Sequence, residues 1–240
     1  MFLFLRLLLG HLIGDFPLQT DRIFLLKHKG LKGNIPHALL VTASLIALSW
    51  PYLSRPYLWY FIIFVGTAHY LQDLIKIKYS KLKYGFWFYL LDQAAHILTI
   101  SLIFLTPLKN VGPIYNSAGW LAPYYNSNAF ILYLIALILA TYNGLHLIRN
   151  FRNSFFGCPG NYTPFEKWYG MLERAIIVSL FLYSIYYFLW LIPVVFLARP
   201  LIYKFAAKGL ELGELFMSPC EVLFGWIVAL LSGSLLLLCK

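Results

Sequence analysis

Three pairs of histidine and aspartate stand inside otherwise apolar stretches of the sequence, and the two members of each pair are separated by the same distance along the chain. The pairs are His11 with Asp15, His69 with Asp73, and Asp92 with His96. Residues i and i+4 lie one turn apart on the same face of an α-helix. Each pair therefore presents an imidazole and a carboxylate side by side, provided that its stretch is helical.

These six side chains form a nitrogen and oxygen ligand set that suits Zn, Mn or Fe and is poor for copper(I). The set can hold two ions, or one ion whose imidazoles are oriented by the remaining carboxylates. A divalent metal with an open position lowers the pKa of a bound water towards about 7 and so makes a nucleophile available for hydrolysis. Asp15 and Asp73 are therefore catalytic candidates as well as ligands, and Glu173 is a third candidate, as a general acid or base.

The same six residues are compatible with two other functions. Without a metal they can form a proton relay or a pathway for a divalent cation. They can also act only as hydrogen bonds that fix the packing of helices in a structural or accessory subunit. A metal-dependent hydrolase acting on a lipid-like substrate is our first hypothesis, a transporter or channel the second, and a structural subunit the third.

The composition places these residues in a membrane. Hydrophobic residues make up 61% of the 240 residues and charged residues only 12%, with a mean hydropathy of +0.73. A water-soluble domain carries about 25% charged residues. The apolar residues come in blocks near the ~20 residues that cross a ~30 Å hydrocarbon layer as a helix. The sequence therefore predicts an all-α, polytopic transmembrane bundle and membrane lipid as its surroundings.

We predict about seven spans in a single integral membrane domain over residues 1–240. They cover residues 2–16, 35–50, 57–77, 86–105, 129–148, 168–197 and 219–238. The first span is short, and the sixth contains Pro193, which favours a broken or re-entrant helix. The motifs fall in the first half, residues 1–108, and the second helical half is residues 128–240.

The positive charge of the chain sets its orientation. Lys and Arg number 19 against nine Asp and Glu, a formal net charge of +10. The cations lie in short connectors, so we expect no nucleic-acid partner. With Lys76 at the end of span three included, the connectors after spans one, three and five hold four, four and three cations, and those after spans two and four hold one each. By the positive-inside rule the N-terminus lies outside the cell. The sequence leaves the oligomeric state open.

This orientation puts all three pairs near the cytoplasmic side. Secondary candidates reach the same layer: His37, Asn143 and His146, with Glu221 joining them if span six is re-entrant. His28 stands among lysines, which favours a solvated or headgroup-facing position. The expected substrate is a lipid whose ester, amide or phosphate lies at the cytoplasmic headgroup level.

The residues from His11 to Gln19 resemble the H-x-x-G-D-F-x-L-Q opening of an uncharacterised prokaryotic membrane family, catalogued as a domain of unknown function. The stretch from His69 to Asp73, followed by Lys76, is similar to the family's H-x-x-x-D element. Asp92 to His96 is similar to its D-Q-x-x-H element, and residues 170–174 to a G-x-L-E-R element of longer members. The resemblance implies a bacterial or archaeal inner-membrane protein. It implies no reaction, metal or substrate.

Overall fold

The computed structural model describes residues 1–79, 84–114, 119–157, 164–183 and 219–239, and every regular element in these ranges is helical. The helices are α1 (Phe2–Asp15), α2 (Asp21–Lys27), α3 (Leu31–Leu48), α4 (Pro56–Tyr79), α5 (Gly85–Ser101), α6 (Ala122–Asn126), α7 (Asn128–Ile138), α8 (Gly144–Phe156), α9 (Pro164–Tyr183) and α10 (Pro219–Ser234). A π-helical turn, Leu139–Asn143, joins α7 to α8 without a break. The all-α prediction is confirmed for this part of the chain. The end of predicted span six, with Pro193, lies outside the described residues.

Four helical stretches are long and apolar enough to cross a membrane: Leu31–Leu48, Pro56–Tyr79, Gly85–Leu105 and Asn128–Phe156. They correspond to predicted spans two to five, although the first of them begins before residue 35 and the last continues past residue 148. Large apolar side chains on their outer faces are exposed, among them Ile63 at 60% and Leu98 at 67%. A helix surrounded by water would carry polar residues at such positions.

Helix α1 is the centre of the bundle. It packs against α3, α5 and α7, and 11 of its 14 residues are buried. At 1.5 Å per residue it is about 21 Å long, shorter than the ~30 Å hydrocarbon core. Because neighbouring helices enclose it, α1 does not need the length of a lipid-facing span. This explains why the first apolar stretch of the sequence is so short.

Arg6 ties the N-terminal end of α1 to the segment that precedes α7. Its side chain is fully buried and donates hydrogen bonds to the carbonyls of Phe2 and Tyr125 and to the side-chain oxygen of Asn128. The guanidinium carbon lies 3.5 Å from the centroid of the Phe2 ring. The positive charge is thus satisfied inside the protein, at the end of α1 opposite Asp15.

Two glycines let α1 and α3 approach closely. A Cβ atom placed on Gly14 would lie 2.6 Å from the Cα of Val41, and one on Gly10 would lie 2.8 Å from the carbonyl oxygen of Ser44. Both neighbours are backbone atoms, so the helices themselves would have to move. This close approach brings Asp15 on α1 next to His37 on α3, one turn before Val41.

We expect Gly14→Ala to destabilise the protein by about 1–3 kcal/mol, the usual cost of overpacking a tight contact. Thermal unfolding in detergent measures the change. Gly112→Ala is the matched control, because a Cβ there meets nothing within 4 Å. Equal melting temperatures for the two variants would show that the α1–α3 contact is not as close as described.

The π turn between α7 and α8 is held by Arg174 of α9. The Nε of Arg174 donates to the carbonyl of Ala140 at 2.6 Å, and its Nη2 donates to the carbonyl of Thr141 at 3.3 Å. A π turn interrupts the regular i→i+4 hydrogen bonds of an α-helix and often marks a functional site. Arg174, which belongs to the G-x-L-E-R segment, therefore stabilises the π turn between α7 and α8.

Candidate metal centre

Helices α1, α3, α4 and α5 bring polar side chains together at one place inside the bundle. We call this group the His/Asp cluster; its members are His11, Asp15, His37, His69, Asp73, Asp92 and His96, all of them buried. Their potential ligand atoms form three groups, each within 4.8 Å: His11 with His69 and His96; Asp15 with His37 and His69; Asp73 with Asp92 and His96. The six residues singled out by spacing thus meet, and His37, a secondary candidate, joins them.

Three imidazoles from three helices face each other at the centre of the cluster. The ring centroid of His11 lies 5.2 Å from that of His69 and 4.9 Å from that of His96, and the last two are 4.5 Å apart. Both ring nitrogens of His11 are buried without a hydrogen-bond partner among the described residues. Leaving such a group unsatisfied costs about 1–3 kcal/mol. A ligand on His11 would remove that cost.

The tautomer of His96 follows from a chain of hydrogen bonds between α4 and α5. Thr99 donates its hydroxyl to the carbonyl of Ala95 at 2.9 Å, so its oxygen accepts from the amide of Gln72, also at 2.9 Å. The side-chain carbonyl oxygen of Gln72 then lies 2.5 Å from Nδ1 of His96 and accepts a hydrogen bond from the Nδ1–H group. In the neutral ring this leaves Nε2 with a free lone pair, the form that binds a metal.

The Nε2 atom of His96 lies 3.4 Å from Oδ1 of Asp92. A lone pair and a carboxylate oxygen at this distance repel each other unless a positive charge is shared between them. A proton or a cation between the two atoms removes this repulsion. A shared proton suits a relay and a cation suits a metal centre, so the contact bears on both main hypotheses.

A second chain of contacts runs through His37. Its Nε2 lies 3.0 Å from Oδ1 of Asp15 and 3.2 Å from Nε2 of His69, which is in turn 3.3 Å from Oδ2 of Asp73. Only one of the two facing Nε2 atoms can carry the proton between them. Asp15, His37, His69 and Asp73 thus form a continuous path along which a proton can move.

Two lysines enter the cluster, although the charge pattern predicts them in cytoplasmic connectors. Lys27, the last residue of α2, is buried, and its Nζ lies 2.7 Å from Oδ1 of Asp73. The Nζ of Lys76 lies 2.6 Å from Oδ2 of Asp92. The cluster then holds one more carboxylate than ammonium group. Burying charge is costly unless it is balanced, so this balance favours one divalent ion over two.

The remaining predicted residues lie at different distances from the cluster. Asn143 donates to the carbonyl oxygen of Gln93 at 3.4 Å, and the Gln93 amide lies 3.5 Å from Oδ2 of Asp15. Asn143 is thus connected to the cluster through a residue that the sequence reading missed. His146 lines a cavity beside Asp15.

Glu173 and Glu221 are buried on α9 and α10 and belong to none of the three groups of ligand atoms. The carboxylate of Glu221 lies 3.5 Å from Nε of Arg152. The role of Glu173 as a general acid or base remains a prediction. The same holds for Glu221, which joins the site only if span six is re-entrant.

Gln72, Gln93, Lys27 and Lys76 are the polar residues around the cluster that histidine and aspartate spacing does not reveal. Gln72 precedes Asp73, and Gln93 follows Asp92. A glutamine beside a buried aspartate in an apolar helix was a usable signal for both. Lys76 is visible as the cation that follows the H-x-x-x-D element. Lys27 offers no local signal.

A family model described as "Protein of unknown function (DUF3307)" matches residues 3–121. The matched region contains α1 to α5 and so the whole His/Asp cluster with both lysines. No curated protein and no solved structure matches the chain.

Proposed function

We propose that the chain, whose residues 3–121 match the model of this family of unknown function, is a membrane-embedded, metal-dependent hydrolase that acts on a lipid-like substrate. The observation that carries the proposal is the buried triad of His11, His69 and His96, whose rings converge and each retain a ring nitrogen without a hydrogen-bond partner among the described residues. Buried polar groups are normally satisfied. Three such nitrogens at one point are the arrangement that a metal ion explains.

We assign one divalent ion, Zn, Mn or Fe, to this triad. His69 contacts Asp73 through Nε2, and its Nδ1 is the buried nitrogen without a partner. His96 is held through Nδ1 by Gln72. A carboxylate or carbonyl on the second nitrogen is the usual support of a metal-binding histidine. Bound in this way, the ion would supply a water whose pKa is lowered towards about 7.

Asp15 is the residue placed best to move the proton in hydrolysis. It lines the larger cavity beside the cluster and is bonded to His37. In the reaction, water adds across an ester, amide or phosphate bond. We propose that Asp15 accepts a proton from the attacking water as general base and then, as general acid, donates this proton to the leaving group. Glu173 stays the alternative acid or base.

The proposal includes a position in the membrane. Four apolar helices and the cation-rich connectors support a multi-pass protein of the prokaryotic inner membrane with its N-terminus outside. In this reading α1, α9 and α10 complete a set of seven spans, and the His/Asp cluster lies near the cytoplasmic headgroups. Reporter fusions in the connectors test this topology.

Metal analysis of the detergent-purified protein tests the proposal directly. We expect about one Zn, Mn or Fe per chain in the wild type and less than a tenth of that in His69→Ala. His28→Ala is the matched control, because His28 is exposed and outside the cluster, and it should keep the metal. In the wild type and His69→Ala, release of fatty acid or phosphate from mixed prokaryotic lipids should follow the metal content. Wild-type protein without metal after mild purification and reconstitution would refute the proposal.

Replacement of Gln72 by leucine should weaken metal binding about 10- to 100-fold, as removal of a residue that orients a ligand does. Thr99→Val, which removes the hydroxyl that fixes Gln72, should act in the same direction but less strongly. Competition with a chromogenic chelator gives the affinities. Thr67→Val is the control, since Thr67 is exposed on the same helix as Gln72. An unchanged affinity in Gln72→Leu would remove His96 from the ligand set.

Proton or cation transport is the second candidate, and the path through His37 is the observation that favours it. In liposomes with an enclosed pH indicator, a transporter would show proton flux that His37→Gln abolishes. The hydrolase predicts no flux in either protein.

A further inference from the structure

Two cavities of opposite character reach the His/Asp cluster. The larger has a volume of about 370 Å³, and Asp15 lies in its wall; the smaller has about 140 Å³, and His11 lies in its wall. Tyr89 and Gln93 line both cavities. The two spaces are therefore neighbours, and each has a member of the cluster in its wall.

Three cationic side chains, Lys27, Lys76 and Arg149, line the larger cavity together with the carboxylate of Asp15. Each lysine also contacts a buried carboxylate of the cluster through one oxygen, and an ammonium group has three donors. Amide side chains, including Asn150 and Asn153, add further donors. Lysine, arginine and amide donors around one space are the groups that bind phosphate oxygens.

The smaller cavity is mostly apolar, and two exposed residues of α5 lie in its wall. Apart from His11, Tyr89, Gln93 and Asn143, its wall consists of Leu8, Leu12, Leu90, Ile97, Leu139 and Leu147. Leu90 and Ile97 are 36% and 41% exposed on the outer face of α5. In the proposed membrane position this face meets lipid tails, so a hydrocarbon chain can enter from the bilayer without crossing water.

We infer that the protein binds a phosphate-bearing amphiphile, with its phosphate in the larger cavity and its apolar chain in the smaller one. The part of the ligand between the two then passes Tyr89 and Gln93, beside His11 and Asp15. This assigns a substrate class to the proposed hydrolase and rests on it for the reaction. The binding itself needs no metal.

Binding to chelator-treated, metal-free protein in a non-ionic detergent tests the inference. The probes are lysophosphatidic acid, the uncharged monoacylglycerol with the same chain, and inorganic phosphate. We expect lysophosphatidic acid to bind at least tenfold more tightly than either of the other two. Arg149→Gln should weaken its binding about tenfold, the effect of losing one charge-assisted hydrogen bond.

Ile97→Trp narrows the opening of the apolar cavity from an exposed position. It should weaken lysophosphatidic acid about tenfold and leave binding of inorganic phosphate unchanged. Lys109→Gln and Ile63→Trp are the matched controls for charge and bulk, because both residues are exposed and line neither cavity. Neither control should change any affinity.

Three results would overturn the inference. Equal binding of phosphate and lysophosphatidic acid would mean that the ligand is free phosphate. If monoacylglycerol binds as tightly as lysophosphatidic acid, the cations do not recognise the phosphate. Wild-type protein that binds none of the probes would exclude the site. Metal content is measured on the same preparation. Amphiphile binding by a protein that takes up no metal would refute the proposed hydrolase and leave this binding site standing.

Discussion

Replacement of His11 by leucine is expected to abolish metal binding and, at the same time, to leave the metal-free protein as stable as the wild type or more stable. His11 is buried, and both its ring nitrogens are without a hydrogen-bond partner among the described residues. An apolar side chain of similar size removes that unsatisfied group, which costs about 1–3 kcal/mol. A bound ion reverses the order, because a ligand at 100 times its Kd stabilises a protein by about 2.7 kcal/mol.

Thermal unfolding with a chelator and with saturating zinc or manganese measures both effects. The wild type should gain stability from the metal, and His11→Leu should gain none. His28→Leu, which changes an exposed histidine, should behave as the wild type. If His11 only glues the helices together, His11→Leu will be less stable than the wild type in the presence of the chelator, and metal will stabilise neither protein. That result would refute the proposed metal centre.

The second large effect concerns the charge balance of the cluster. Lys76→Met is expected to destabilise the protein by about 3–5 kcal/mol, because it leaves the buried carboxylate of Asp92 without its ammonium partner. Asp92→Asn, which leaves the lysine without its carboxylate, should also destabilise the protein. The double variant should be more stable than the sum of the two single effects predicts, with a coupling of about 2 kcal/mol or more.

Chemical unfolding of the four proteins in one detergent gives this cycle. Lys78→Met is the control, because Lys78 is an exposed cation two residues further along the same helix, and its removal should change stability by less than about 0.5 kcal/mol. Additive single effects would contradict the ion pair. Lys76 would then be a solvated cation of the connector, as the charge pattern predicts.

The i, i+4 spacing in the sequence identifies six of the seven residues of the His/Asp cluster. The i, i+4 pairs needed only a helical backbone to place an imidazole above a carboxylate, and the apolar context of each pair indicated burial. The meeting of three such pairs was an inference from depth. It agrees with the structure because α3 packs against both α1 and α4, and α5 packs against both α4 and α1.

Long-range contacts were beyond the reach of the pattern. Lys27 lies in a basic connector and contacts Asp73, which is far away in sequence, because α2 folds back onto α3. Nothing in the residues around Lys27 distinguishes it from the exposed Lys29. The role of Gly10 and Gly14 in the approach of α1 to α3 is a further case: small residues one turn apart permit a close contact, but they do not say with which helix.

Sequence patterns predict less of the structure in the second half of the chain. Helix α9 carries Glu166, Lys167, Glu173 and Arg174, and only the fold shows that Arg174 is used to hold two backbone carbonyls of another helix. A backbone π turn has no residue signature of its own, so neither the turn nor the task of Arg174 was predictable from spacing.

That turn has a consequence for the register of α8. A π turn accommodates one residue more than an α-helix of the same rise, and each residue of an α-helix advances the azimuth by about 100°. If the same residues formed an uninterrupted α-helix, every residue beyond Asn143 would therefore be rotated by roughly that angle, and His146 and Arg149 would leave the cavity wall. The position of Arg149 in the wall of the larger cavity thus depends on one extra residue in the helix before it, and Arg174 of α9 holds the turn that contains this residue.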